Sequence, residues 1–362
     1  MSGTDPARGD AGPFFEDLRV GVNERSAPAV TLTDGMAAVH RAILGDRLRL
    51  ALDAPLARAV LGADAALAHP ALVWDLAIGQ STVLTGRVIA NLFYRGLVFA
   101  RAPVIGDTLA TSTEVVALRQ STPRPGRPAT GLAVLRVRTV DQEGRQVLDF
   151  WRCAMLALRD PHGACARADS FEAIPEELEP QALRAAIDGW RLRAFAGADA
   201  GTRTDAGTGP DAGRNTDAGP EPAATAGLAA GARWVVESGD VVSSAPELAR
   251  LTLNVAAVHH DRHRHPDGRR LVYGGHTIGL AAAQASRALP EIVTIVGWHS
   301  CEHLAPVHEG DTLYSELELE RLEALPGTGA LAHLRSRVHA RGETDDSDAV
   351  AVLDWRFVAV VA

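Results

Sequence analysis

The sequence predicts an α+β fold that contains two copies of one unit, each with a helix followed by an antiparallel sheet. Two literal repeats support the duplication. Residues 102–109 (APVIGDTL) recur as residues 305–313 (APVHEGDTL). Residues 147–149 (VLD) recur as residues 352–354, and Trp and Arg follow shortly after both. Matches in the same order and at about the same separation are typical of an internal repeat.

In the first copy, Thr33 is placed to cap a helix that ends at Gly45. Its predicted apolar face holds five residues at helical spacing: Met36, Val39, His40, Ile43 and Leu44. A second helix begins at Pro70, a residue that suits the first helical turn. Strand-like runs then cover residues 91–109, 110–119, 131–141 and 147–159.

The second copy repeats this order. A short helical segment at 246–254 precedes a helix from about Gly275 to Leu289, which Pro290 stops. Strand-like runs follow at residues 292–313, 315–323, 330–341 and 349–361. Two copies joined edge to edge predict one continuous sheet with both helices on one side. A homodimer of half-length chains would have the same geometry.

These patterns predict three parts: a first repeat (14–160), an inter-repeat part (161–232) and a second repeat (233–362) that carries the active site. Within the middle part, residues 175–197 predict a helix. Residues 197–231 are rich in Gly, Ala, Asp and Thr and bury too little to offset the entropy of ordering, which predicts a flexible linker. Its repeated DAG text lacks the alternating carboxylates and closing acid of a calcium loop. Residues 1–13 are also expected to be mobile.

Charge and cysteine content exclude several classes of function. The net charge of −9 argues against nucleic acid as a partner. The chain has no Lys, so an anionic ligand must be met by Arg or by backbone amides. No signal peptide and no apolar run long enough for a membrane span are visible. Three widely spaced cysteines predict free thiols in a reducing cytoplasm, with neither a disulfide framework nor a metal site.

The stretch from 254 to 280 carries the strongest functional signal. His259 stands on an extended arm, and Gly274 and Gly275 then open a helix. The free N–H groups of a helix start can bond a carbonyl oxygen. A histidine nearby can move a proton to or from the polarised substrate. The alternative for His259 is a packed histidine between Val255 and Val258.

The repeated APVxxGDTL text, the duplication and the histidine arm before a central helix resemble the MaoC-type enoyl-CoA hydratases of the double hot dog fold. The NVAAVHHD and YGGH segments most resemble the mesaconyl-CoA hydratase (β-methylmalyl-CoA dehydratase) branch. The resemblance implies two tandem hot dog repeats, in each of which an antiparallel sheet wraps around a central helix. It also implies an acyl-CoA thioester substrate.

The motif of that family is Gly-Asp-x-Asn-Pro-aliphatic-His-x-Asp, followed by a His-Gly that opens the central helix. In the second repeat its histidine falls on His259, its final acid on Asp261 and its catalytic aspartate on Asn254. The His-Gly position falls on Tyr273 and Gly274. In the first repeat the aspartate is kept as Asp46, but Ala51 takes the place of the histidine. Neither repeat therefore holds the complete Asp/His pair, and Asp46 is expected to be a structural remnant of a second site.

The resemblance implies a role for each candidate. His259 transfers the proton, and the N–H of Gly274 or Gly275 bonds the thioester oxygen. Asn254 cannot act as a base, but its amide oxygen can hold the water. Three further residues have two open interpretations, a functional contact or an ordinary structural role: Asp261 (orienting the imidazole or facing solvent), Tyr273 (meeting an acyl carboxylate or packing) and His276 (contacting substrate or packing).

Two neighbouring groups also leave alternatives. His260, His263 and His265 form either a metal cluster or a solvated loop, and their Arg-rich surroundings favour the loop. Arg269 and Arg270 either meet CoA phosphates or belong to an ordinary charged turn.

Three functions follow in order of preference. The first is a hydratase/dehydratase of a short branched or dicarboxylic enoyl-CoA such as mesaconyl-CoA, with no cofactor beyond the CoA of the substrate. The second is a hot dog thioesterase, against which the missing acid at position 254 counts. The third is a non-catalytic acyl-CoA-binding protein. A monomer and a homodimer are both compatible with the duplication.

Overall fold

The computed structural model describes residues 12–24, 27–62, 66–122, 125–200 (backbone only at 199 and 200), 227–265, 268–342 and 349–362. The helices are α1 (Asp34–Leu44), α2 (Arg49–Leu52), α3 (Ala54–Leu61), α4 (Pro70–Gln80), α5 (Pro180–Ala185), α6 (Leu192–Ala200), α7 (Ala245–Leu251) and α8 (Gly274–Ala288). The strands of the first repeat are β1 (Asn23–Glu24), β2 (Val30–Thr31), β3 (Val88–Phe99), β4 (Thr108–Gln120), β5 (Thr130–Val140) and β6 (Gln146–Ala157). Those of the second are β7 (Arg233–Val235), β8 (Asp240–Val241), β9 (Ile292–His303), β10 (Thr312–Ala324), β11 (Ala330–Arg341) and β12 (Val350–Val361).

The two repeats form one antiparallel sheet in the order β1-β4-β5-β6-β3-β9-β12-β11-β10-β7. Strands β3 and β9 pair antiparallel at its centre, with Tyr94 opposite Cys301, and so join the repeats edge to edge. Helix α4 packs on β4, β5 and β9, α8 packs on β10, β11 and β12, and the two helices contact each other. The predicted α+β fold, with one continuous sheet and two central helices, is confirmed.

The central helices are the core of the molecule. Every residue of α4 is buried, which agrees with a helix that is apolar all round and enclosed by sheet and by α8. Trp74 of α4 meets Trp298 of β9 edge to face, with ring centroids 4.8 Å apart. The helix starts at Pro70, as predicted.

The first helix also follows its prediction, with one exception. The Thr33 side chain accepts the N–H of Met36 (3.2 Å), and Gly45 ends α1 in the left-handed region (φ +68°). Val39, however, is 46 % exposed, whereas His40 and Leu44 are buried. The buried face is therefore narrower than the apolar spacing indicated.

The inter-repeat part differs from its prediction. Instead of one helix over 175–197, two short helices form, α5 and α6. Gly189 lies between them with φ +76°, a conformation that interrupts a helix. Most of the predicted linker (201–226) and of the N-terminal stretch (1–11) lies outside the described residues. The boundaries at 160 and 232 stay predictions. None of the helices in the described ranges is long and apolar enough to cross a bilayer.

Candidate active site

One cavity of about 440 Å³ lies where the two repeats meet, at the N-terminal end of α8. Its wall combines Tyr94 and Arg152 of the first repeat with His259, Gly274 and His303 of the second. The cavity opens at an edge that contains the exposed residues Ile89, Arg127 and Leu304. Enclosed sites with a few convergent polar groups are typical of small-molecule binding. The expected active site is thus shared by both repeats.

His259 lies at the end of a short 3-10 helix (Ala257–His259) and is buried against the cavity. Its Nδ1 is 3.0 Å from the carbonyl oxygen of Leu271. Because a carbonyl can only accept, Nδ1 carries the hydrogen and Nε2 keeps its lone pair in the neutral imidazole. Burial lowers the pKa of His259 to about 4, against the opposing effect of the Leu271 bond, and the neighbouring His260 and Arg152 lower it further. At neutral pH the side chain is therefore an uncharged base.

Asn254 is brought to the same cavity by a tight loop after α7. Leu253, just before it, adopts φ +59°, which is unusual for a residue with a side chain. Gly79 of α4 permits this loop to approach, since a Cβ there would lie 1.8 Å from the carbonyl oxygen of Thr252. The Asn254 amide oxygen accepts the N–H of Ala256 (3.0 Å). That oxygen, expected to hold the water, is thus already engaged, and no hydrogen bond within the described ranges uses the Nδ2 group.

The two glycines at the start of α8 have different surroundings. Gly274 lines the cavity, and a Cβ there would lie 2.5 Å from Nε2 of His303 and 3.3 Å from the hydroxyl of Tyr94. Gly275 is buried instead, where a Cβ would lie 2.2 Å from Oδ1 of Asp75. Tyr273 makes no side-chain cap, and within the described residues no hydrogen bond engages the Gly274 N–H at the helix start, so this donor is available to a ligand. Of the two candidate donors, the geometry favours Gly274.

His303 and Tyr94 stand at the same helix start and were not singled out by the sequence. Within the described residues, Nε2 of His303 is buried without a hydrogen-bond partner. Burial lowers the pKa of His303 to about 4 and raises that of Tyr94. Their rings contact edge to face, with centroids 5.7 Å apart. Both therefore present uncharged polar atoms beside Gly274.

Within the described residues, Asp261 and His276 form no hydrogen bond with His259, whereas the ring of Tyr273 meets the His259 ring edge to face with centroids 6.0 Å apart. Asp261 is partly exposed, caps a 3-10 helix (Arg262–Arg264) by accepting the N–H of His263 (2.9 Å) and pairs with Arg264 (3.6 Å), so it does not orient the imidazole. His276 is fully buried on α8 and does not line the cavity; burial lowers its pKa to about 3. The ring of Tyr273 does line the cavity, but its hydroxyl is buried, and a Cβ on Gly275 would touch both this ring and Asp75. The contacts of Asp261 and the position of His276 outside the cavity favour the structural interpretation, whereas a contact of Tyr273 with the acyl group stays a prediction.

His260 and the two arginines also make contacts within the protein. Nε2 of His260 donates to the carbonyl oxygen of Asn254 (2.6 Å), which braces the loop. Arg269 and Arg270 form ion pairs with Asp311 and Glu309. Within the part of the chain that the structure describes, no group of three or more His, Cys, Asp or Glu could hold a metal ion.

Asp46 lies at a separate cavity of about 310 Å³ in the first repeat. Its carboxylate is 3.0 Å from Nε2 of His69 and accepts hydrogen bonds from the Leu48 N–H (2.7 Å) and the Ser286 hydroxyl (3.2 Å). Burial alone would raise the pKa of Asp46, but these partners together lower it. The absent histidine at position 51 is thus replaced by His69, which the motif did not reveal. These partners hold the Asp46 carboxylate in place, and its role as a structural remnant stays a prediction.

A comparison between the repeats would have revealed the missed residues. His303 stands where the first repeat has Phe99, and Tyr94 stands where the second has Trp298. These pairs follow from the strand register, in which β3 and β9 occupy equivalent positions. The signal in the sequence was a polar residue in one repeat whose equivalent in the other repeat is apolar.

The chain is similar along most of its length to two named enzymes, although no protein-family model matches it. A β-methylmalyl-CoA dehydratase of Chloroflexus aurantiacus is 28 % identical over 377 aligned positions and covers 98 % of both chains. A mesaconyl-CoA hydratase of Cereibacter sphaeroides is 30 % identical over 335 positions, which cover 89 % of this chain and 88 % of the relative.

Several solved structures match over nearly the whole length, two of them at 25 % identity or above. One is a conserved protein of Mycobacterium tuberculosis with a double hotdog fold, 47 % identical, with a TM-score of 0.78 over 97 % of this chain and 98 % of that one. The other is a MaoC domain protein of Chloroflexus aurantiacus, 25 % identical, with a TM-score of 0.79 over 98 % and 99 % of the two chains.

Proposed function

Since the chain belongs to the MaoC-like double hot dog family of enoyl-CoA hydratases and dehydratases, we propose that its shared cavity adds water to, or removes it from, a short enoyl-CoA. One observation carries the assignment of residues. The free Nε2 of the His259 imidazole and the N–H end of α8 at Gly274 face one cavity. An uncharged base and an oxyanion donor are the two groups that this reaction requires.

In the hydration direction, Nε2 of His259 accepts a proton from water while the water oxygen bonds to Cβ of the substrate. The Cα–Cβ π electrons move toward the thioester carbonyl, and the resulting enolate oxygen accepts the N–H of Gly274. The imidazolium then returns the proton to Cα. One C–C π bond and one O–H bond of water break while one C–O and one C–H bond form, so the atoms and electrons balance without a redox step. The reaction therefore needs no cofactor beyond the CoA carried by the substrate.

Asn254 serves this step as a donor. Its amide oxygen is engaged by Ala256, so its Nδ2 group is the part that can hold the attacking water. Asn254 thereby orients a lone pair of the water toward Cβ. No acid group at this position is required if His259 acts as both base and acid.

The names of the relatives support a proposal for the acyl group of the substrate. Their names specify mesaconyl-CoA and β-methylmalyl-CoA, which are the unsaturated and hydrated forms of one branched dicarboxylic thioester. A cavity of about 440 Å³ suits a short acyl group rather than a long fatty chain. We therefore propose mesaconyl-CoA or a close analogue as the substrate. Three free cysteines support a reducing cytoplasm as its location.

One assay tests the reaction class. The protein is incubated with mesaconyl-CoA and crotonyl-CoA, and loss of the conjugated double bond is followed together with release of free thiol. We expect loss of conjugation without thiol. Thiol release would identify a thioesterase, and binding without either change would identify a carrier; each result would overturn the proposal.

A further inference from the structure

Arg152 occupies a position at which the other repeat is apolar. It faces Tyr94 across the β3–β6 pairing, and Phe357 faces Trp298 across the equivalent β9–β12 pairing. Side chains on a strand alternate between its two faces, so Arg152 points to the same inner face as Phe357. The first repeat thus has a guanidinium at a position where the second repeat packs a phenyl ring. The fold itself therefore does not require a charged group there.

The residues that accept hydrogen bonds from Arg152 also differ between the two repeats. Its Nε donates to Oδ1 of Asn91 (3.2 Å), one NH2 group to the Ser81 hydroxyl (2.5 Å) and the other to the Thr85 hydroxyl (2.9 Å). The Ser81 hydroxyl in turn donates to the carbonyl oxygen of Ile78 (2.6 Å), which leaves a lone pair for the arginine. The equivalent residues in the second repeat are all apolar: Ile295, Ala285 and Leu289.

The charge of Arg152 is not balanced by any carboxylate among the described residues. The side chain is 2 % exposed, and no carboxylate within the described residues forms an ion pair with it. All three of its protein acceptors are neutral. Burying an unpaired charge is costly, and buried charges are normally paired. Arg136 on the neighbouring strand follows that rule by binding Asp149 on the outer face (2.8 Å).

Arg152 also lines the cavity that contains His259. It is close enough for its charge to help lower the pKa of that imidazole. Asn91 and Tyr94 line the same wall. A ligand anion at this wall would therefore lie in the same cavity as the His259 imidazole, which acts at Cβ in the proposed reaction.

We propose that Arg152 binds a carboxylate of the acyl group, so that the substrates are enoyl-CoA thioesters with a carboxylate attached at Cβ. This inference rests on the proposed function of the same cavity. A planar guanidinium that keeps unused N–H groups suits a carboxylate, which it can bind through two parallel hydrogen bonds. Arg152 is thus a specificity-determining residue, whereas His259 and Gly274 act on the thioester that all enoyl-CoAs share.

Two thioesters that differ only in the group at Cβ test this role. Mesaconyl-CoA carries a carboxylate where tiglyl-CoA carries a methyl group. We expect the unmodified protein to hydrate mesaconyl-CoA with a kcat/KM about 100-fold higher. Arg152→Gln should lower kcat/KM for mesaconyl-CoA by about 100-fold and change that for tiglyl-CoA by less than about 3-fold. Arg152→Lys, which keeps the charge, should recover part of the preference.

Arg356→Gln is the matched control, because Arg356 lies next to Phe357 on the outer face and pairs with Glu320 (2.9 Å). It should leave the ratio of the two substrates unchanged. A merely structural role of Arg152 would lower both activities together with the melting temperature. Equal use of both thioesters by the unmodified protein, or an equal loss of both in Arg152→Gln, would overturn the inference.

Binding measured without turnover separates the two proposals. In the His259→Ala background, Kd values for both thioesters are measured by calorimetry with and without Arg152→Gln. Tighter binding of mesaconyl-CoA that depends on Arg152 supports carboxylate recognition even if the unmodified protein hydrates neither substrate. That last outcome would refute the hydratase function alone. Equal Kd values would refute the carboxylate site alone.

Discussion

The starts of the two central helices have the same place in the fold and opposite chemistry. Helix α4 begins with His69 and Pro70, and α8 begins with Tyr273 and Gly274 at the equivalent positions. Proline has no N–H to give to a ligand, whereas glycine has an N–H and no Cβ to cover it. The first repeat therefore cannot donate a hydrogen bond from this position, and the second can.

The histidines show the same division. In the first repeat, His69 lies against Asp46 and accepts the N–H of Ala71 (3.0 Å), and His40 bonds Asp75 (3.0 Å). In the second, His259 and His303 keep ring nitrogens for the cavity. Polar groups whose partners are all within the protein stabilise the fold, and groups left without one are ready to bind a ligand. This difference agrees with the proposal that the first repeat serves as scaffold and the second carries the chemistry.

The largest effect should come from removing the one proton-transfer group. His259→Ala should lower the hydration rate by at least about 10²-fold to 10⁴-fold, because no other group at Cβ replaces the base. The melting temperature should change little. Steady-state rates with mesaconyl-CoA and a thermal scan measure both.

The control for His259 is Asp46→Asn, at the corresponding motif in the first repeat. It weakens a buried carboxylate network, so we expect a loss of about 3 kcal/mol of stability but a rate within a few fold of the original. A rate collapse in Asp46→Asn with unchanged stability would mean that the first repeat is also catalytic.

Replacing Gly274 of α8 by proline, the residue at the start of α4, tests the N–H donor to the thioester oxygen. Gly274→Pro removes the N–H, and Gly274→Ala adds a similar crowding carbon next to His303 but keeps the N–H. Tyr273 already has the extended backbone (φ −80°, ψ 156°) that a following proline requires. The proline variant should have a kcat about 10²-fold to 10³-fold below that of the alanine variant. Equal rates would show that the thioester oxygen lies elsewhere.

The buried histidines of the second repeat should make the protein acid-sensitive. The pKa values of His259, His276 and His303 are lowered to about 4, 3 and 4 in the folded state. The unfolded chain then binds protons first, so this stability is present above about pH 6.5 and is lost as the pH falls toward 4. Calorimetric unfolding between pH 8 and pH 4 measures the loss.

His276→Leu, which introduces the residue of the counterpart Leu72, sharpens this test. One fewer titrating group should make the decline of unfolding free energy shallower by about 1.4 kcal/mol per pH unit. The activity profile gives a second readout. Because His259 stays neutral down to about pH 4, kcat/KM should fall only well below pH 6.5. An acid limb centred at pH 6.5 or above would contradict a buried, neutral base.

The smallest effect is expected at the last acid of the motif. Asp261 is partly exposed, caps a short 3-10 helix and pairs with Arg264, so Asp261→Asn should change kcat by less than about 2-fold and stability by less than about 1 kcal/mol. A loss as large as that of His259→Ala would show that this acid orients the imidazole.

Much of the fold was visible in the sequence because duplication leaves local marks. The APV–GDT text, the cap at Thr33 and the proline at position 70 act over a few residues, and the structure confirms each element they predict. The inter-repeat helix was wrong because apolar spacing does not register a single glycine in a left-handed conformation, here Gly189.

The candidate site was visible only in part. His259, Asn254, Tyr273 and Gly274 were found because the arm and the helix start lie close together in the chain, and the structure brings them to one cavity. Asp261 follows His259 by two residues, and His276 follows Gly274 by two, yet neither side chain points into the cavity. Neighbouring side chains on a helix or at a bend point in different directions.

By itself, then, the sequence determined the duplication, the class of fold and the arm that carries the base, all of which depend on local pattern. The tertiary structure alone decided that Arg152, more than 100 residues before His259, shares its cavity. It also decided that Asp46 pairs with His69 rather than with a histidine of its own motif. The reason is physical: strand register and helix packing set which distant side chains face the same space, and those contacts leave no mark on the residues nearby in the chain.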